Sequence, residues 1–323
     1  MIARFLLAAL CGLAVLPDRT ALAQPAWPAR TIRIVVPFAP GAFTDLAARA
    51  LAVEFSEQLG HQAVVENRGG AGSTLGTDMV AKAPADGYTL LVADNSLSIS
   101  PGLYAKLPYD PLKDFVHVSL IAEVPAIMVA RLDLAAKTPR ELVELAQARP
   151  GMLTFGSGGQ GSSAHLATEL FLSGAKARMQ HVPFKGVAVA IAEVVAGRID
   201  LAVSSLGTPL SYVRSGRVRA IGVTGKERSP LLPDVPTFAE AGFPEFNMTY
   251  WFVLSVPVGT PPEIASRLRQ EIIRATDKPR LKELFLSQGA RPVTSAPGEF
   301  ARQLADEIRV WKSVIEKAGV KPE

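Results

Sequence analysis

Residues 159–164 read Gly-Gln-Gly-Ser-Ser-Ala after an apolar run, the G-x-G-x-x-A spacing of a dinucleotide-binding turn. Such a site needs an acidic residue about 20 positions further on to hold the ribose hydroxyls. The next apolar stretch, MQHVPFK at 179–185, carries no carboxylate. Ser162 and His165 are three residues apart and could share a helical face as nucleophile and base. That pair would still need an orienting acid, and no G-x-S-x-G elbow surrounds Ser157 or Ser162. His165 reads more simply as a packing residue. The four histidines, His61, His117, His165 and His181, have no metal-ligand spacing, and no G-K-[ST] phosphate loop is present. The expectation is a protein without enzymatic activity, cofactor or metal. Its alternatives are an NAD(P)-dependent enzyme using the GQGSSA turn, and a surface or structural protein without a small ligand.

What the chain does supply is turns suited to an anion. FAPGAFTDLAARAL, residues 38–51, follows the apolar run IRIVV and opens an alanine-rich helix. The first N–H groups of a helix lack intrahelical partners and lie at the positive end of its dipole, so a carboxylate there needs no lysine. Gly41 permits close approach, and Thr44 can cap or donate a hydroxyl. Asp45 suits capping and loop orientation, since a carboxylate ligand would repel it. The second turn, FGSGGQGSSAH at 155–165, again joins a strand to a helix and is rich in amides and hydroxyls. In the third, NRGGAGSTLG at 67–76, tight packing is as good an explanation as binding. Lys185 and Ser204, at the carboxyl ends of two strands, stand where ligands of parallel sheets sit, and Asp94, Asn95, Ser96 and Ser98 match them in the first half.

These turns need a frame, and the periodicities describe one. TIRIVVP, AVVEN and YTLLVAD alternate with the helical patterns TDLAARALAVEFSEQLG and STLGTDMVAKA. The same rhythm restarts at residue 139 and runs to VRAIGVT, which implies mainly parallel sheets covered by helices. DFVHVSLIAEVPAIMVAR and MTYWFVLSVPVGTPPE are extended crossings, and two final helices follow the second. Two crossings suggest two α/β domains, 24–125 with 249–323 and 126–248, although a single large domain has the same periodicities.

MIAR, an apolar core of 12 residues and Ala21-Leu22-Ala23 read as a secretory signal peptide over residues 1–23. The only cysteine, Cys11, lies inside it, so the mature chain would have neither disulfide nor thiol chemistry. Cleavage after Ala23 takes the net charge from +4 to +3. No Lys/Arg cluster with interleaved aromatics points to nucleic acid, and a slight positive bias suits an anionic small ligand.

In order along the chain, IRIVVPFAPGAFTDLAAR, VVENRGGAGSTLGTDMVAKAPADGYTLL, LTFGSGGQGSSAHLATELF, HVPFKG, VRAIGVTGKERSPLLPDVPTFAEAGFPEF and WFVLSVPVGTPPEI carry a resemblance over nearly the whole mature sequence. The chain resembles the extracytoplasmic solute receptors of the tripartite tricarboxylate transporter family, the Bug group. The resemblance implies a type II periplasmic binding fold whose two domains close on a carboxylate that passes to a membrane permease. It also implies a monomer in the periplasm. It carries ligand-binding roles onto Phe38, Gly41, Ala42, Phe43, Thr44 and Asp45 in the first loop and onto Ser157, Gly161, Ser162, Ser163 and His165 in the second. Ser96, Lys185 and Ser204 complete the expected site. Ala42 and Phe43 depart from the family's usual Pro-Gly-Gly pattern, Val189 replaces a common proline, and no aspartate lies beside Ser204. On these grounds Phe43 is expected beside the carboxylate, and the ligand is expected to be plain or apolar.

Overall fold

The computed structural model describes residues 27–320. The signal-peptide reading of residues 1–23 falls outside them. In the first half, β1 (Ile32–Val36), α1 (Phe43–Leu59), β2 (Ala63–Asn67), α2 (Thr74–Ala81), β3 (Thr89–Ala93) and α3 (Ser96–Leu103) follow one another. The long β4 (Phe115–Ala130) leads to α4 (Pro139–Ala148), β5 (Thr154–Ser157), α5 (Ser163–Gly174), β6 (Gln180–Pro183) and α6 (Val187–Val195). Then come β7 (Leu201–Ser205), α7 (Leu210–Arg214), β8 (Arg219–Val223) and β9 (Thr249–Pro257). The chain finishes with α8 (Pro262–Asp277), α9 (Pro279–Ser287), β10 (Arg291–Pro292) and α10 (Glu299–Ala318).

Strand order is β2-β1-β3-β9-β4-β7-β5-β6, with β8 and β10 also on β4. β1 pairs parallel with β2 and β3, and β5 parallel with β6 and β7. Every pairing of β4 and β9 is antiparallel, so the sheets are mixed rather than mainly parallel. The cause is the crossings themselves: they re-enter the sheets from the opposite end to the βαβ strands. β4 pairs with β9 up to Pro125 and with β7 and β8 from Ala126 onward. Pro125 stands opposite Thr249, the first residue of β9, which brings the two passages side by side. Two α/β domains therefore flank one narrow double crossing.

Local signals end the elements where expected. Gly60 closes α1 in the left-handed conformation, φ 69°, which a Cβ would disfavour. Thr138 caps α4 by accepting the Glu141 N–H at 3.3 Å. Phe300, Leu304, Ile308, Trp311 and Ile315 bury one face of α10, which packs on α3 and reaches α5 of the second domain. Three helices follow the second crossing, not two, because α9 separates the pair read from the sequence.

Candidate functional site

The first turn is held by its own carboxylate. Asp45 accepts the Gly41 N–H at 3.3 Å, Arg49 Nε at 3.0 Å and Asn67 Nδ2 at 2.9 Å. Asn67 Nδ2 also donates to the Phe38 carbonyl at 3.1 Å, so β1, β2 and α1 meet on one buried acid. Asp45 is committed to orienting the loop. Gly41 has φ +100°, and Ala42 at the N-cap makes no side-chain cap, which leaves the first amides of α1 to be met from outside. Thr44 is buried in that first turn. The Phe43 ring lies 4.8 Å from Phe252 and 5.4 Å from Phe285, within the core, and Phe43 also lines the pocket beside the turn. The helix turns that position inward, and the Phe43 N–H donates to Thr208 Oγ1 of the other domain at 3.3 Å.

The second turn is likewise built from within. Ser157 Oγ donates to the Gly159 carbonyl at 3.0 Å, accepts the Gly159 N–H at 3.1 Å and lies 2.6 Å from His181 Nε2. Ser162 caps α5, accepting the His165 backbone N–H at 3.3 Å. His165 Nδ1 accepts the Gly161 N–H at 3.2 Å, and its ring stacks on His181 with centroids 3.9 Å apart. Burial first, then the His181 charge, pushes His165 down to about 3, and burial holds His181 at about 4. Both rings are neutral at pH 7. The nucleophile–base reading fails here, because Ser162 bonds the backbone of His165 and not its imidazole. The side chains of Ser157, Ser162 and His165 bond within the loop. Ser204 is buried and donates to the Ser205 carbonyl at 3.1 Å. Lys185 is exposed, and its carbonyl rather than its ammonium enters the interface, accepting the Ala39 N–H at 3.0 Å.

Across the seam between the domains, the turns of one half face those of the other. A Cβ placed on Gly41 would lie 3.4 Å from Ala188 Cβ, which sets the start of α1 against the start of α6. A Cβ on Gly72 would lie 1.9 Å from Gln160 O and 3.1 Å from Ser162 N, which sets the start of α2 against that of α5. The third turn is thus a seam element and not only a packing device. Tyr104 Oη lies 2.9 Å from both the Ala71 and Gln160 carbonyls. Ser163 Oγ donates across the seam to Asp94 Oδ2 at 2.7 Å, and Asp94 Oδ1 takes the Ser96 N–H and hydroxyl at 3.0 and 2.6 Å. Burial raises the Asp94 pKa, although Ser96 and Ser163 oppose the rise. The acid absent beside Ser204 is therefore matched by one reaching the seam from the first domain. Tyr250 is buried near Asp94 and Ser163, and its ionisation is pushed up by burial and by the Asp94 charge. A pocket of ≈ 390 Å³ opens beside the first turn, lined by Gly41, Ala42, Thr208, Ser211 and Arg214 among others.

Tyr104 and Thr208 went unmarked in the sequence reading. Neither belongs to a motif, and each follows an element whose fold depends on its neighbours. Among the described residues no cluster of metal-ligating side chains occurs, and no helix is long and apolar enough to cross a membrane.

Comparison with known proteins places this geometry. The model of the tripartite tricarboxylate transporter family receptor matches residues 47–320. Protein BugT of Bordetella pertussis is 39% identical over 297 residues, 91% of each chain. An R. palustris protein solved with adipate superposes with a TM-score of 0.88 at 34% identity, covering 92% of this chain and all of the other. MatC from Rhodopseudomonas palustris, solved with bound malate, gives 0.86 at 33% identity over 90% of this chain and 100% of that one.

Proposed function

The chain belongs to the tripartite tricarboxylate transporter receptor family, and from that premise we propose that it grips a small organic carboxylate in the seam between its domains. The observation that carries the reading is the meeting of four helix N-termini, α1 against α6 and α2 against α5. Each end presents the positive pole of a helix dipole and first-turn N–H groups, some already bonded, as those of Phe43 and Thr74 are, so the seam attracts negative charge without a cationic clamp. Two such pairs suit the two ends of a dicarboxylate, the chemistry of the adipate and malate held by the R. palustris relatives.

In this reading the amides of Ala42 and Thr44 and of Ser163 and Ala164 make the grip, since those of Gly41, Phe43, Gly161 and Ser162 are already bonded, with Ser163 and Ser96 ordering the Asp94 side of it. Phe38, Asp45, Ser157, Ser162 and His165 hold those loops in shape. The domains, 24–125 with 249–323 and 126–248, turn about Pro125 and Thr249. The receptor acts as a monomer in the periplasm after cleavage near Ala23, and it hands its ligand to a membrane permease.

Thermal unfolding in the presence of succinate, malate, adipate and NAD(P) tests the proposal. An acid that binds only the folded form raises stability by about 2.7 kcal/mol at a hundred times its Kd. Small-angle scattering with the best acid should give a radius of gyration no larger than that of the free protein. Saturable NAD(P) binding, or silence toward every acid, would refute the assignment.

A further inference from the structure

We propose that Ser73 binds ligand: its hydroxyl, with the N-terminus of α2, holds one carboxylate of a dicarboxylate. The inference rests on the receptor reading above and adds a residue from the third turn to the site. Ser73 occupies the N-cap of the eight-residue α2, where a serine ordinarily accepts an N–H from the first turn. Its hydroxyl makes no such bond, and it has no hydrogen-bond partner among the described residues, although Ser73 is only 1% exposed. A buried hydroxyl left unpaired destabilises a fold, because it has given up water and gained nothing. Ser73 also holds φ +101°, where side chains are strained and glycine is not. Gly70, Ala71 and Gly72 before it share positive φ values of 145°, 45° and 60°. Two unfavourable features thus coincide on one residue.

The place gives them a use. Gly72 stands against the Gln160 carbonyl and the Ser162 nitrogen of the other domain, so Ser73 adjoins the point where the α2 and α5 N-termini meet. A carboxylate there would accept the Ser73 O–H together with first-turn N–H groups of α2 beyond Thr74, whose own N–H already donates to the Ala71 carbonyl. The α1 and α6 pair remains for the second carboxylate.

Calorimetric titration of wild type, Ser73→Ala and Ser73→Gly with succinate, malate and adipate decides the matter. Both variants should bind the preferred acid about tenfold more weakly or worse, the loss of one hydrogen bond to a charged partner. Ser73→Gly should melt at or above the wild-type temperature, because glycine accepts the positive φ, so its weaker binding cannot be blamed on misfolding. A purely structural serine would move the melting temperature alone. Affinity within twofold of wild type in Ser73→Gly would overturn the inference while leaving the receptor reading intact. A wild type that binds none of the three acids would overturn the receptor reading itself.

Discussion

Gly72→Ala should separate closure from folding. The added Cβ would sit 1.9 Å from the Gln160 carbonyl oxygen, where ordinary contact begins at 3.4 Å. Backbone lies on both sides, so no side chain can swing away. The seam must then open by about 1.5 Å, which puts its bonds beyond hydrogen-bonding reach. Four are at stake: Ala39 to Lys185 at 3.0 Å, Phe43 to Thr208 at 3.3 Å, Tyr104 to Gln160 at 2.9 Å, and Ser163 to Asp94 at 2.7 Å. At about 0.5–1.5 kcal/mol net for each, closure loses about 2–6 kcal/mol, and affinity falls about 30–25,000-fold. Alanine at φ +60° also costs the first domain itself about 1–2 kcal/mol. Gly60→Ala is the matched control: its φ is +69°, and a Cβ there meets nothing within 4 Å. Both variants should lose similar folding stability in urea, and only Gly72→Ala should lose ligand affinity by calorimetry. A Gly72→Ala protein binding within threefold of wild type would refute the closed-seam argument.

Stability should fall as pH drops. His117, His165 and His181 are held down to about 4, 3 and 4 from an ordinary 6.5, chiefly by burial. Their contribution is complete above pH 6.5 and is lost as pH falls toward 4, with a slope of up to about 4 kcal/mol per pH unit for three protons. Thermal melts across pH 4–8 check this, and a flat profile would contradict it. Ligand affinity between pH 6 and 8 should stay nearly constant, since amides do not titrate there. Phe43→Ala should destabilise the fold by about 3–5 kcal/mol through a core cavity, seen in denaturant unfolding. A change in ligand preference without that loss would return Phe43 to the site. Lys185→Ala should leave both affinity and its salt dependence within twofold of wild type, because the lysine side chain is exposed and only its carbonyl enters the seam. A large loss, removed by salt, would make it the dominant charge.

Much of the frame was legible in the residues. Apolar alternation and helical spacing marked the first strands and helices, the run of β4 and the amphipathic face of α10, because those patterns reflect burial on one side of a regular backbone. Asp45 could be read as a loop-orienting residue from charge alone, since an acid cannot welcome a carboxylate. α3 was missed because Ser96–Leu103 contains Pro101 and no amphipathic face; it is buried almost all round. α9, nine residues long, was too short to stand apart from its neighbours. The site was less legible. A loop sequence states which amides and hydroxyls exist, but not which are already used within the loop, as those of Ser157 and Ser162 are. Nor does it state the direction of a first-turn side chain, and Phe43 points to the core because α1 packs that face on the sheet. Local chemistry determined the elements and the kind of ligand end the turns could hold. Only the meeting of residues more than 80 positions apart, Gly72 with Gln160 and Phe43 with Thr208, decided which turns face one another, because that pairing depends on how two domains close about a shared crossing.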